Sequence, residues 1–202
     1  MFTFKEAEHQ HELSVGREAK LLGAWSSPDM AKGFVLSQDF EAVFYRSNNL
    51  PERLLALFSG IRPERIDEDH LEECCHRAQI LIRESSLLDN AIQKIELALN
   101  NAALMGRPGH LRREWLGQNL PEVETYITQT GSEALFALKR LWAKDWNLDA
   151  TLDRLDQNGN IGLEARPVFF FEGEKPDSVI ESDANRTLQL GGRIVGVYSI
   201  LQ

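Results

Sequence analysis

Length, composition and charge restrict the kinds of protein that this chain can be. It has 202 residues, of which 43% are hydrophobic and 26% charged, and its formal net charge is -9. A chain of this length can bury a core, and its composition excludes a largely disordered protein and a disulfide-dense scaffold. The negative charge disfavours generic binding to nucleic acids or anionic membranes, which need a positive surface, and suits a basic protein partner.

Two further features indicate where the protein works. The first residues show no basic leader followed by an apolar run, and no apolar stretch approaches the roughly 18 residues that cross a bilayer. The two cysteines, Cys74 and Cys75, are neighbours, and this placement strains a disulfide. We therefore expect a cytoplasmic protein with reduced thiols and no membrane contact.

Residues 1–60 carry mixed helix and strand signals. Phe2 and Phe4 alternate like the start of a strand. Residues 33–46 leave two interpretations open, because their second half fits either the return strand of a hairpin or a helical turn with its apolar residues on one face. The segment Pro51–Phe58 predicts a short helix, since proline suits a first helical turn and a glycine follows as a stop.

The clearest pattern lies in the middle of the chain, where ten positions recur at alternating spacings of three and four residues. These positions, called the seam below, are Leu71, Cys74, Ala78, Leu81, Ser85, Leu88, Ile92, Ile95, Leu99 and Ala102. No glycine or proline interrupts residues 64–105, and Gly106 follows as a stop. The pattern predicts one helix of about 40 residues, roughly 60 Å long.

A helix of this length needs a partner that covers its seam. Residues 121–146 show a second helical pattern, although Gly131 weakens it and Ser132 could instead begin a new helix. With residues 106–120 as the loop between them, we expect an antiparallel helical hairpin over residues 61–147. The alternative cover is a second copy of the chain, which would form a homodimer through the seam.

The last part of the chain, residues 148–202, predicts antiparallel strands. Val168–Phe171 is a short apolar run, and Arg193–Leu201 is rich in β-branched residues. We expect three or four strands within residues 160–201, with a charged loop from Glu172 to Asn185. The chain is thus expected to be one α+β domain, residues 1–202, that combines the hairpin with a small antiparallel sheet of C-terminal and conceivably N-terminal strands.

A basic and aromatic cluster stands out in the predicted loop between the two helices. It consists of Arg107, His110, Arg112, Arg113 and Trp115. Arg and Trp are common anchors of protein interfaces, and a turn that joins two long helices should project at one end. We expect this cluster to contact a partner protein. If Trp115 instead packs inward, the next candidate for the contact is the acidic segment from Glu172 to Asp183.

The chain has none of the common signatures for nucleotide, hydrolase or thiol-redox chemistry, so we expect neither a cofactor nor a metal. The favoured interpretation is a non-catalytic protein-binding module, such as a chaperone, an inhibitor that neutralises a partner, or an assembly or regulatory factor. The alternative is an enzyme that uses scattered carboxylates, or Cys74 together with His70, four residues earlier on the same helical face.

Overall fold

The structure is a computed structural model and describes residues 1–25, 27–62, 65–127, 131–162 and 164–200. The helices in these ranges are α1 (Phe4–Ala7), α2 (Glu12–Val15), α3 (Arg17–Trp25), α4 (Gln38–Ser47), α5 (Leu50–Leu57), α6 (Glu68–Glu84), α7 (Asp89–Asn101), α8 (Ser132–Lys144) and α9 (Leu148–Asn158). The strands are β1 (Phe2–Thr3), β2 (Gly33–Leu36), β3 (Pro108–Arg112), β4 (Glu124–Ile127), β5 (Val168–Glu172), β6 (Ser178–Glu181), β7 (Asn185–Leu190) and β8 (Arg193–Ser199). None of these helices is long and apolar enough to span a bilayer. The predicted α+β class is confirmed.

A five-stranded antiparallel sheet lies at the centre, in the order β1-β2-β5-β3-β4. Its middle strand β5 is buried on both faces, which explains the continuous apolar run that begins at Val168. Because side chains alternate along a strand, Phe170 points to one face and Phe169 and Phe171 to the other. The sheet is therefore covered on both sides.

Helices α4–α9 cover the first face. Phe34 and Phe170 stack there with ring centroids 4.7 Å apart, and Trp142 lies 4.6 Å from the ring of Phe44. Buried seam residues complete this cluster: Leu71, Cys74, Ala78, Ile95 and Leu99. The chain thus covers much of its own seam, and this removes the reason for expecting a homodimer through it.

Helices α1–α3 and a second, three-stranded sheet cover the other face. This smaller sheet has the order β6-β7-β8, and its buried residues Leu188, Val195 and Val197 pack in the same cluster as Phe169 and Phe171. The outer edge of β8 is closed by the chain around Met30, because the Ala31 amide donates to the Ile194 carbonyl at 2.9 Å.

The single 40-residue helix predicted from the seam is wrong, because the chain leaves the helix between Glu84 and Asp89. Ser85 is extended (ψ 145°), and its hydroxyl donates back to the Leu81 carbonyl at 2.7 Å. Asn48 supplies the partners that a helix would have given Ser86: it donates to the Ser86 carbonyl at 2.9 Å and accepts from the Ser86 amide at 3.2 Å. Tertiary hydrogen bonds thus compensate for the break.

The predicted hairpin over residues 61–147 is also wrong. Where the sequence predicts a loop, β3 is a strand with neighbours on both sides, and β4 replaces the start of the expected second helix. The second helix begins at Ser132, as the alternative interpretation holds, with Gly131 as its N-cap in the left-handed region (φ 84°). Thr130, part of the same pattern, lies outside the described residues.

The prediction of three or four strands within residues 160–201 is confirmed, because β5–β8 lie there, but these strands belong to two sheets rather than one. Two expectations there are wrong. Residues 148–158 form helix α9, which Asn147 caps by accepting from the Ala150 amide at 2.7 Å, and the expected charged loop contains β6.

Near the N-terminus the predicted strand start is confirmed at Phe2, but the strand does not continue through Phe4, where helix α1 begins. Residues 33–46 combine both interpretations, with strand β2 followed by helix α4, and the predicted short helix is α5.

Candidate functional site

The basic and aromatic cluster lies on and beside the inner strand β3, so its expected projection from a helical turn is wrong. His110 and Arg112 are fully buried, and Trp115 is only 3% exposed. In this cluster Arg107 presents a half-exposed side chain, and it forms an ion pair with Glu172. The placement of Trp115 agrees with the inward-packing alternative.

Arg112 is the centre of a buried polar contact between the two sheets. Its guanidinium forms two hydrogen bonds to the Glu18 carboxylate, at 2.7 and 2.8 Å, and another to the Val195 carbonyl at 2.6 Å. The same guanidinium lies 5.2 Å from the ring centroids of Phe169 and Phe171. The charge of Arg112 is thus neutralised inside the fold and is not available to a partner.

The approach of β8 to this ion pair requires a glycine. A Cβ atom on Gly196 would lie 2.7 Å from Glu18 Oε1 and 2.9 Å from Arg112 Nη2. Both neighbours are fixed by the hydrogen bonds of the ion pair, so they cannot move aside. This glycine therefore sets the distance between β8 and the central sheet.

Arg113 joins a second network on the opposite face of the sheet. It donates to both oxygens of Glu41, at 2.7 and 2.8 Å, and to Asp145 from Nε at 3.1 Å. Asp145 also forms an ion pair with Arg166. Arg113 therefore ties the end of β3 to α4 and to the end of α8.

His110 and Trp115 are also held inside the fold by hydrogen bonds, although the buried Nε2 of His110 has no hydrogen-bond partner among the described residues. The His110 ring lies 5.4 Å from Phe171, and its Nδ1 is 2.9 Å from the Gly173 carbonyl, to which it donates. Burial lowers the pKa of His110 to about 4, so the ring is neutral at physiological pH. The Trp115 indole donates to the Asn119 carbonyl at 3.0 Å.

No local signal in the sequence identifies these roles. Arg112 and its counter-ion Glu18 are 94 residues apart, and either residue alone is typical of a solvated surface. The basic cluster is therefore recognisable as unusual, but its burial depends on partners that only the fold reveals.

The pair Cys74 and His70 is geometrically close but chemically unsuited to nucleophilic catalysis. Cys74 Sγ lies 4.0 Å from His70 Nε2, and its thiol donates to the Leu57 carbonyl at 3.4 Å. The side chain is 1% exposed, and desolvation raises the pKa of the thiol. Because the thiolate is the reactive form, this environment favours an inert packing role.

The second candidate of the sequence, the acidic segment from Glu172 to Asp183, contains an open strand edge. In the smaller sheet β6 pairs with β7 on one side, and among the described residues no strand pairs with its other side. Val179 and Ile180 point to opposite faces of β6 and are 37% and 50% exposed. Because both faces of β6 are exposed and one of its edges is unpaired, the strand extends beyond the packed core.

The chain around β6 is strongly acidic. The segment from Glu172 to Asp183 carries five acidic residues and one lysine. Asp177 accepts from the Gly191 amide at 2.7 Å and from the Ser178 hydroxyl, and these bonds lower its pKa, so it remains charged. Glu181 pairs with Arg186 at 3.0 Å, while Glu174 and Asp183 are exposed.

Comparison with known proteins assigns no family to the chain. No family model matches it, and no curated protein matches it significantly. Within the described residues, no group of three or more His, Cys, Asp or Glu side chains is placed to hold a metal ion. The function is therefore argued from the site alone.

Proposed function

We propose that this protein is a non-catalytic binding module that captures an extended, basic segment of a partner protein along the edge of β6. The observation that carries the proposal is the open edge itself. An unpaired edge strand presents backbone hydrogen-bonding groups to any strand that can approach, and natural proteins usually cover or charge such edges. Here the edge carries apolar side chains on both faces.

Strand addition would give affinity through the backbone and specificity through the side chains. A strand paired to β6 would place apolar side chains next to Val179 on one face and Ile180 on the other. The acidic residues around β6 would favour lysine or arginine in the partner and would repel other copies of this acidic chain. Chaperones, inhibitors and assembly factors all use such contacts. The two free, buried cysteines support a reducing compartment such as the cytoplasm.

The proposal is tested with a synthetic peptide of eight residues in which two adjacent central valines, one for each face of the added strand, are flanked by three lysines on either side. In an NMR titration of the ¹⁵N-labelled protein at low salt, shifts should concentrate in residues 177–190 and should saturate. Raising the salt to several hundred millimolar should weaken binding at least several-fold, because the charges are exposed and screened.

A double variant and a matched control identify the surface. Val179→Lys with Ile180→Lys should weaken the peptide at least tenfold, about 1.4 kcal/mol, by removing apolar contacts and adding like charge. Leu55→Lys with Leu97→Lys changes two apolar side chains that are 68% and 60% exposed elsewhere, and it should leave the affinity unchanged. Equal weakening by both variants, or shifts spread over the molecule, would rule out a site at β6.

A further inference from the structure

A polar cavity of about 900 Å³, open to solvent, lies beside α9. Its walls carry two guanidinium groups, Arg154 and Arg166, and three side-chain amides, Gln38, Asn158 and Asn160. One carboxylate, the exposed Glu164, also lines it. The functional groups of this cavity are thus mainly hydrogen-bond donors and positive charge.

Arg154 is held in place by neutral partners. It donates to the Asp145 carbonyl at 2.5 Å, to the Thr151 hydroxyl at 3.2 Å and to the Ile161 carbonyl at 3.3 Å. Its guanidinium also lies 5.0 Å from the ring centroid of Trp146. A guanidinium has five N–H donors, so part of its donor capacity remains for a ligand. Burial lowers the pKa of Arg154, and the nearby charges of Asp145 and Arg166 act on it in opposite directions, Asp145 raising it and Arg166 lowering it.

Arg166 shares its counter-ion with another arginine. The Asp145 carboxylate pairs with Arg166 and with Arg113 at the same time. The Arg166 side chain is 47% exposed toward the solvent. Because Arg113 also pairs with Glu41, Asp145 balances much of the charge of Arg166. Arg154, by contrast, has no carboxylate hydrogen-bond partner among the described residues.

We infer that this cavity binds a small phosphorylated compound with a hydroxylated body, such as a sugar phosphate. Guanidinium groups match the oxygens of a phosphate in both charge and hydrogen-bond geometry, and two of them suit a dianion. A phosphate alone fills only a small part of the cavity. The three amides can donate to and accept from hydroxyl groups, whereas a largely apolar ligand would leave them unpaired.

The test uses isothermal titration of the full chain at low ionic strength with inorganic phosphate, glucose 6-phosphate and glucose. We expect saturable binding of phosphate in the millimolar range, binding of glucose 6-phosphate at least tenfold tighter, and no measurable binding of glucose. Absence of saturable binding by either phosphate compound, or equal affinity for glucose and its phosphate, would overturn the inference.

Four variants distinguish a specific site from general attraction to positive charge. Arg166→Gln should weaken both phosphate compounds at least tenfold, and Gln38→Ala should weaken glucose 6-phosphate but not phosphate. Glu164→Gln should strengthen both about two- to threefold, a gain that misfolding cannot produce. Arg193→Gln, which changes a 60% exposed arginine paired with Glu172 elsewhere, should alter neither affinity. If Arg166→Gln binds as tightly as the wild type, or if Arg193→Gln weakens binding equally, the cavity is not the site.

Discussion

At the scale of single residues, buried charge joins the layers of this protein. Glu18 on α3 receives two hydrogen bonds from Arg112 on β3 and one from the Trp115 amide at 2.7 Å. Arg112 in turn bonds the backbone of β8. A pair of this kind adds little stability over a well-packed apolar pair of the same size, but loss of one partner leaves the other buried without compensation.

Glu18→Ala should therefore lower the free energy of unfolding by about 3–5 kcal/mol, as for other broken buried ion pairs. Urea denaturation followed by circular dichroism measures this change. The double variant Glu18→Leu with Arg112→Met removes both charges and should recover most of the loss. The control Glu174→Ala changes an exposed carboxylate and should stay within about 0.5 kcal/mol of the wild type. A loss below 1 kcal/mol in Glu18→Ala would contradict the role assigned to the pair.

His110 makes the stability depend on pH in a defined direction. Its pKa is about 4 in the folded protein and 6.5 as the reference value, so the unfolded chain binds the proton more readily. The contribution of neutral His110 to the free energy of unfolding is present in full above pH 6.5 and is lost progressively as the pH falls toward 4. Between about pH 7 and pH 5.5 the loss should amount to about 1 kcal/mol.

Urea titrations at several pH values test this dependence. In His110→Phe the change in the free energy of unfolding between pH 7 and pH 5.5 should be smaller by about 1 kcal/mol. His76→Gln, at an exposed position, should show the same change as the wild type. Glu114, whose pKa burial raises, acts in the opposite direction and is unchanged in both variants. An identical slope in His110→Phe and the wild type would contradict the assignment.

At the scale of elements, a helix or strand is predictable from the sequence when the interactions that form it lie between residues close together in the chain. Helix α5 is predictable because its start and stop signals lie within the segment itself. Helix α9 also has a local signal, the Asn147 cap followed by leucines at helical spacing, but its many Asp and Asn residues resemble a turn. Strand β3 has no recognisable local signal, because it is short and begins with Pro108 and Gly109, two residue types that are depleted in strands.

The break between α6 and α7 shows the same limit. The seam continues across it with correct spacing, yet Asn48 on another element holds the backbone of Ser86 outside the helix. Sequence spacing records which side chains face the core and does not reveal a hydrogen bond from 38 residues away. The expected projection of the basic cluster is wrong for the same reason, since it depended on a loop between two continuous helices.

Asn48→Ala should destabilise the protein by about 0.5–1.5 kcal/mol, because it removes two hydrogen bonds to the exposed backbone of Ser86. Hydrogen exchange of the amides around the break should accelerate more than that of the central sheet. Asn100→Ala, at an exposed position near the end of α7, is the matched control and should change little. If Asn48→Ala proved neutral in both measurements, the break would not depend on this side chain.

At the scale of the whole molecule, the fold is a sheet covered by two unlike layers. Helices α4–α9 cover the face of Phe170, while α1–α3 and the smaller sheet cover the face of Phe169 and Phe171. The second layer is formed by chain segments from both ends of the sequence. The C-terminal strands are therefore as much a part of the core as the central helices are, although only one edge strand of their sheet, β6, extends beyond it.

This arrangement predicts a sharp contrast between two positions on the smaller sheet. Val197 on β8 is 1% exposed and faces the core, whereas Val179 on β6 is 37% exposed. Val197→Asp would bury an unpaired carboxylate in the apolar cluster that also contains Phe169 and Phe171, and it should destabilise the protein by about 3 kcal/mol or more. Val179→Asp keeps its charge in water and should shift the melting temperature by no more than about 3 °C. Thermal melts of both variants provide the measurement. Equal melting temperatures for the two variants would show that β8 does not close the core and that β8 and β6 do not differ in burial.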